Sequence, residues 1–264
     1  MQAAKDVKGA VKEAKRLGIR FDKLVYSWHA LYFPHVNMCE LPHDIMHLFA
    51  DGLLRSECAW LFFVLHRLGL QRDAVNSAIR LYPRWPADVR IPNLHPNLSE
   101  GTGKGNSAQP KSSRTMRMSA SQMGTFAAHS IELLAPILTP EMKAHPAWAS
   151  WLKLVELYTL VTLHKLTLRQ VRTVDDLQAE HSRLFDEVHE YRRLKRPKHH
   201  SLTHLAHEIW RFGPPRGYHS FGFEHMNSIL RLGAQHSNLA NEAEGIAAYW
   251  SMRQARFLST GREF

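Results

Sequence analysis

The chain has few cysteines, few acids relative to bases and no long apolar run. Its two cysteines, Cys39 and Cys58, are too few for a disulfide framework and lack the C-x-x-C spacing of a zinc site, so a reducing compartment is expected. The longest apolar run, Cys58 to Leu65, falls far short of the roughly 20 residues that cross a bilayer. It reads as a buried helix face, and no membrane association is expected. Lys5, Lys8, Lys12, Lys15 and Arg16 precede no apolar stretch, which argues against a secretory signal and for a soluble intracellular protein. The sequence contains no H-E-x-x-H, no phosphate-cradling glycine loop and no G-x-S-x-G elbow. Zinc-protease, nucleotide-hydrolase and serine-hydrolase chemistry therefore have no support. Internal repeats and a convincing set of alternating strands are also missing.

Positive charge is plentiful. Lysine and arginine number 34 against 24 acids, a formal charge of +10, and 18 histidines add more as pH falls. This excess is spread through the chain and interleaved with aromatics, which favours a polyanionic partner, DNA first. A hydrophobic content of 44% is enough for a substantial core.

The pattern is mainly α. A short basic amphipathic helix is expected over residues 3–17 and extended chain over 24–36. Pro42 sets up a turn into a helix from Asp44 to Leu68, closed by Gly69; an aspartate at that start accepts backbone N–H groups and suits the positive end of the helix dipole. Residues 83–117 are rich in Pro, Gly, Ser and Asn, with a basic loop at 99–113 carrying Lys104 and Lys111. Helices are then expected over Ser119–Leu138, Pro146–Leu168 and Val174–Lys195, the last with a capping signal at Thr173 to Asp176. Its charges, including Glu180, Arg183, Asp186 and Glu187, read as a solvated side. An amphipathic segment from His199 to Phe212 ends at Gly213-Pro214-Pro215, where two prolines forbid continued helix. Further helices are expected at about 219–232 and 241–257.

Asp44, followed one turn later by His47, and Glu224, followed one turn later by Asn227, are the residues with the most chemistry in them. In two-metal phosphodiester cleavage, carboxylates from separate elements hold hard cations such as Mg²⁺, one activating the attacking oxygen and the other steadying the leaving oxygen. Asp44 and Glu224 suit such roles, His47 would orient Asp44 or touch a phosphate, and Asp51 shares the helix face. The plainer reading makes Asp44 an N-cap and His47 a satisfied, partly buried histidine. Glu224 lies among Phe221, Phe223 and Met226 and needs a partner, either a cation or an arginine such as Arg216 or Arg231. His199, His200, His204 and His207 fall at helical spacings that suit metal ligation, against packing or phosphate contact as the alternative. The basic stretch from Arg192 to Lys198 and the loop at 104–117 would neutralise phosphates, with an affinity that falls as salt rises.

In order and spacing, Asp44-Ile45-Met46-His47 with Asp51-Gly52, then Pro197-Lys198-His199-His200, Arg211-Phe212-Gly213-Pro214 and Phe223-Glu224-His225-Met226-Asn227 resemble the motif blocks of eukaryotic CACTA-type transposase-domain proteins. The resemblance runs from about residue 41 to 232 and is concentrated at its two ends. It implies the C-terminal portion of an RNase H-like α/β core, interrupted by a helical insertion, in a nuclear protein that cuts and joins DNA with Mg²⁺ or Mn²⁺. On that basis residues 1–68 hold the D-x-x-H part of the core, 69–196 the insertion and 197–264 the part carrying Glu224. Asp44 and Glu224 would be the second and third acids and metal ligands, and His47 the histidine of the D-x-x-H element. Lys198, Arg216, Asn227 and Arg231 would face DNA. The first aspartate of the pattern is missing, because Asp6 and Asp22 stand in the wrong context. A fragment or domesticated remnant with two of three acids is therefore expected, one that acts as a homo-oligomer or beside a complementing full-length transposase. The rival expectations are a non-catalytic helical protein that binds DNA or another partner, and a histidine-rich metal-binding protein centred on His200 and His204.

Overall fold

The computed structural model describes residues 42–87, 89–94, 116–191 and 194–221, together with 247–249, 251–252 and 255. The chain divides into two compact units, Met1–Tyr218 and His219–Phe264. Among the described residues the protein is mainly helical and contains no strand, as the periodicity predicts. The expected segments at 3–17, 24–36 and 99–113 lie outside the described residues. Within the expected final helix at 241–257, residues 247–249, 251–252 and 255 are described and are helical.

The first unit opens with a π-helical segment, Met46–Leu53, which runs directly into α1, Leu54–Arg67. Together they fill the span expected for a single α-helix, but with a wide first half in which the Leu54 N–H reaches back to the Phe49 carbonyl. Gly69 closes α1 with φ +99°. Its N–H donates to His66 O at 2.9 Å and the Leu70 N–H donates to Leu65 O at 2.9 Å, a pair of bonds that satisfies the last carbonyls and needs the left-handed conformation glycine adopts freely.

Then come α2 (Arg72–Leu81), α3 (Ala120–Leu134), the short α4 (Pro140–Ala144), α5 (Pro146–Val161), α6 (Leu168–Glu187), α7 (Pro197–Leu202) and α8 (Leu205–Phe212). The sequence pattern gives no helix for α2, whose apolar stripe is only Val75 and Ile79, with Asn76 buried between them. Asn76 Oδ1 accepts the Leu94 N–H at 2.7 Å, so a polar side chain ties the following loop to the helix.

The α5–α6 hairpin departs most from expectation. Thr173 to Asp176 looks like a helix start, yet the helix begins at Leu168 under a capping box in which Thr167 Oγ1 accepts from Gln170 N and Gln170 Oε1 accepts from Thr167 N. Thr173 lies inside the helix, its hydroxyl donating to Arg169 O at 3.1 Å. An S/T-x-x-E/Q signal and a T-x-D-D signal stand six residues apart, and the earlier start adds Val171, which packs against the core, to the stripe of Val174, Leu177, His181, Leu184 and Phe185. Thr167→Ala should therefore cost about 1 kcal/mol in urea unfolding, whereas Thr173→Ala should change stability by a few tenths at most or raise it slightly. Equal losses at the two sites would return the cap to Thr173.

One core joins these helices. Trp60, Trp151, Phe49, Phe126 and Phe185 are its largest fully buried side chains, and α5 and α6 form its most extensive helix pair, with α1, α3 and the π segment packed around them. Within the core Trp151 Nε1 donates to Ser130 Oγ at 3.0 Å, and that hydroxyl donates to Ala127 O at 2.8 Å. No described helix is long and apolar enough to cross a membrane.

Candidate functional site

The π-helical turn carries the first block of the sequence motif and meets Lys198 of a later one. Asp44 caps the segment: its Oδ1 accepts from Met46 N and its Oδ2 from His47 N, each at 3.3 Å, and Oδ2 also meets His47 Nδ1. The cap and the acid–histidine dyad expected from D-x-x-H are thus the same arrangement. Half of the His47 side chain and a quarter of the Asp44 side chain are open to solvent, which leaves the dyad at the surface. As an oxygen donor, Asp44 belongs to the ligand class that hard divalent cations take. Asp51 also faces solvent and pairs with Arg55 one turn further on.

Lys198, at the start of α7, lies 151 residues from His47 and donates its ammonium to the His47 carbonyl, with Asp51 O at 3.5 Å. Gly52 makes this approach possible. A Cβ there would stand 2.5 Å from His47 O and 2.7 Å from Lys198 Cδ and Nζ. The wide π turn tilts carbonyls away from their usual partners, and the lysine answers them, so a residue expected to face DNA is partly occupied in holding α7 to the turn.

Beneath this surface lies a buried ionic network that the sequence pattern does not reveal. Glu57 on α1 is 2% exposed, His181 on α6 1% and His199 on α7 6%. His181 Nε2 is 2.9 Å from Glu57 Oε2, and His199 Nε2 is 3.2 Å from Glu57 Oε1. His199 Nδ1 accepts the Arg196 N–H at 2.9 Å, which leaves Nε2 as the ring nitrogen that faces the carboxylate. Burial acts to raise the Glu57 pKa. The charge and hydrogen bond of His181, with those of His199, outweigh it and hold the carboxyl at about 2. The Arg196 guanidinium donates to Ser56 Oγ at 2.6 Å and lies 5.1 Å from the Trp60 ring, and Ser56 Oγ donates to Gly52 O at 3.0 Å. The network therefore runs from the core to the π turn. His199 serves this buried ion pair, and only His200, His204 and His207 of the expected histidine cluster are exposed.

Glu208 on α8 is 8% exposed and anchors the chain just before Asp44: His43 N donates to its Oε2 at 2.9 Å and His43 Nδ1 lies 2.5 Å from its Oε1. Arg216 is exposed and donates to Thr162 O at 3.2 Å, at the end of α5. Glu224, Asn227 and Arg231 lie outside the described residues. Among the described residues no three His, Cys, Asp or Glu side chains are grouped to hold a metal ion.

A separate concavity of about 680 Å³ is lined by Arg80, Trp85, Val89, Arg90 and Ile91 among others, and none of its described lining residues is an acid. Trp85 is oriented by its Nε1 bond to Ile79 O at 2.8 Å and by an edge contact with His129. The sequence signal for it was an aromatic residue set among arginines ahead of the basic loop, spread too thinly to single out.

No family model matches the chain, and comparison with curated proteins and with solved structures gives no match.

Proposed function

We propose that this is a transposase-related DNA-binding protein, a fragment or remnant of an RNase H-like cleavage and strand-transfer enzyme. In this reading Asp44, oriented by His47, and Glu224 supply two of its three acids for Mg²⁺ or Mn²⁺. The observation that carries the reading is the seating of Lys198 on the His47 carbonyl across 151 residues. It makes D-x-x-H…D-G and P-K-H-H one structural unit, as expected if both blocks belong to a single ancestral site. The charge of +10 and the concavity that places Trp85 with Arg80 and Arg90 support a nucleic-acid partner, since guanidinium groups neutralise phosphates and an aromatic face accepts a base. A nuclear location and assembly with a second copy or a full-length transposase belong to the same proposal.

DNA affinity, followed by fluorescence anisotropy on the full chain, tests it. Affinity should fall at least about tenfold between roughly 50 and 200 mM salt, and Arg80→Ala with Arg90→Ala should shallow the salt slope by about one for each phosphate no longer neutralised. In the same series Asp44→Asn should weaken Mn²⁺ binding while leaving metal-free DNA affinity unchanged. Salt-insensitive binding would remove the DNA reading. Identical Mn²⁺ titrations for Asp44→Asn and wild type would leave a non-catalytic binding protein, the second reading, which the occupation of Asp44 as a helix cap favours.

A further inference from the structure

We propose that His200 and His204 form a bidentate imidazole site for a borderline transition-metal ion, with Zn²⁺ as the fitting candidate. The inference is independent of the DNA reading and uses a different ligand class from Asp44.

The two Nε2 atoms are 3.2 Å apart and the rings are perpendicular, at 86°. Two nitrogens each about 2.0–2.1 Å from one Zn²⁺, at an angle of about 100–110°, stand about 3.1–3.4 Å from each other. The separation is thus that of two neighbouring ligands on one ion, and it is bridged here by an N–H···N hydrogen bond between the two rings. Imidazole is a donor that Zn²⁺, Ni²⁺ and Cu²⁺ prefer and Mg²⁺ does not.

The backbone holds the pair in place. His200 lies in α7 and His204 precedes α8, and the break between these helices is fixed by Thr203 Oγ1 on His200 O at 2.7 Å, His204 N on Ser201 O at 3.2 Å and Glu208 N on His204 O at 2.9 Å. The His43 ring, parallel to that of His204 within 6° at 6.5 Å, backs it from one side and is itself held by the buried Glu208. Both ligand residues are exposed. Among the described residues no third His, Cys, Asp or Glu completes the set, and an ion held by two imidazoles alone exchanges readily.

Calorimetric titration of the full chain with Zn²⁺ tests the proposal. His200→Asn and His204→Asn should each weaken the tightest site by more than the roughly 10–100-fold typical of losing an outer-shell partner. His164→Asn, at another exposed histidine, and Asp44→Asn should leave it unchanged. Circular dichroism checks that the variants keep their helicity. A readout that needs no variant is the imidazole ¹H–¹⁵N spectrum of the wild-type chain, in which the first equivalent of Zn²⁺ should shift the His200 and His204 rings first. Wild-type affinity in both variants, or first-equivalent shifts at other histidines, would overturn the site.

Discussion

Glu57→Ala should destabilise the protein by about 3–5 kcal/mol, the cost of breaking a buried ion pair by removing one partner. The carboxylate lies between His181 Nε2 at 2.9 Å and His199 Nε2 at 3.2 Å, with all three side chains essentially excluded from water. Truncation leaves His181 Nε2 without its hydrogen-bond partner, removes the negative charge that faces His199 and Arg196, and leaves the volume of the buried side chain empty. Urea unfolding measures the loss. A change under about 1 kcal/mol would mean that the histidines and the arginine are satisfied without the carboxylate.

The same group gives the protein an acid limit. In the folded state the Glu57 carboxyl is held at about 2 against an ordinary 4.5, so the folded form binds its proton less readily than the unfolded chain does. The associated stability is complete above about pH 4.5 and is lost progressively as pH falls toward 2. At about 1.4 kcal/mol for each pKa unit it amounts to about 3 kcal/mol. Glu57→Gln should remove this slope, and an unchanged acid profile in that variant would assign acid unfolding to other carboxylates.

Gly52→Ala should cost about 1–3 kcal/mol, in the range of overpacking, although the same exchange inside an ordinary helix is worth up to about 1 kcal/mol in the other direction. The added methyl would meet a carbonyl oxygen of its own turn at 2.5 Å and the Lys198 side chain at 2.7 Å. The lysine stem bends aside at little cost, but the His47 carbonyl belongs to the π turn and moves only with it. The variant should therefore also loosen α7, seen as faster amide exchange at residues 198–202, and Gly52→Ala with Lys198→Ala should not recover the full loss. Stabilisation by Gly52→Ala would show that the segment relaxes to a regular α-helix without penalty.

How much of this was legible beforehand follows from what each feature depends on. Gly69 as the end of α1, Ser119 as the start of α3 and the mainly helical character are local properties of apolar spacing and cap chemistry, and they stand where the sequence puts them. Thr167 and Thr173 are both locally plausible caps, and the packing of Val171 against the core favours the earlier one. The break at Thr203 and His204 carries no proline or glycine, so nothing in the sequence marks it. The juxtaposition of His200 and His204 follows from that break.

The sequence by itself determined the basic surface charge, the helical class and the D-x-x-H dyad, because each is set by composition or by neighbours within one helical turn. Only the tertiary structure decided that Lys198 answers the carbonyls of a π turn, that His199 is buried on Glu57 while His200 stays in solvent, and that Glu57, just ahead of an apolar run, is charged inside the core. Those outcomes depend on which distant side chain fills the space beside a carbonyl or carboxylate, and the partners stand 124 to 151 residues away in the chain, beyond the reach of any local pattern.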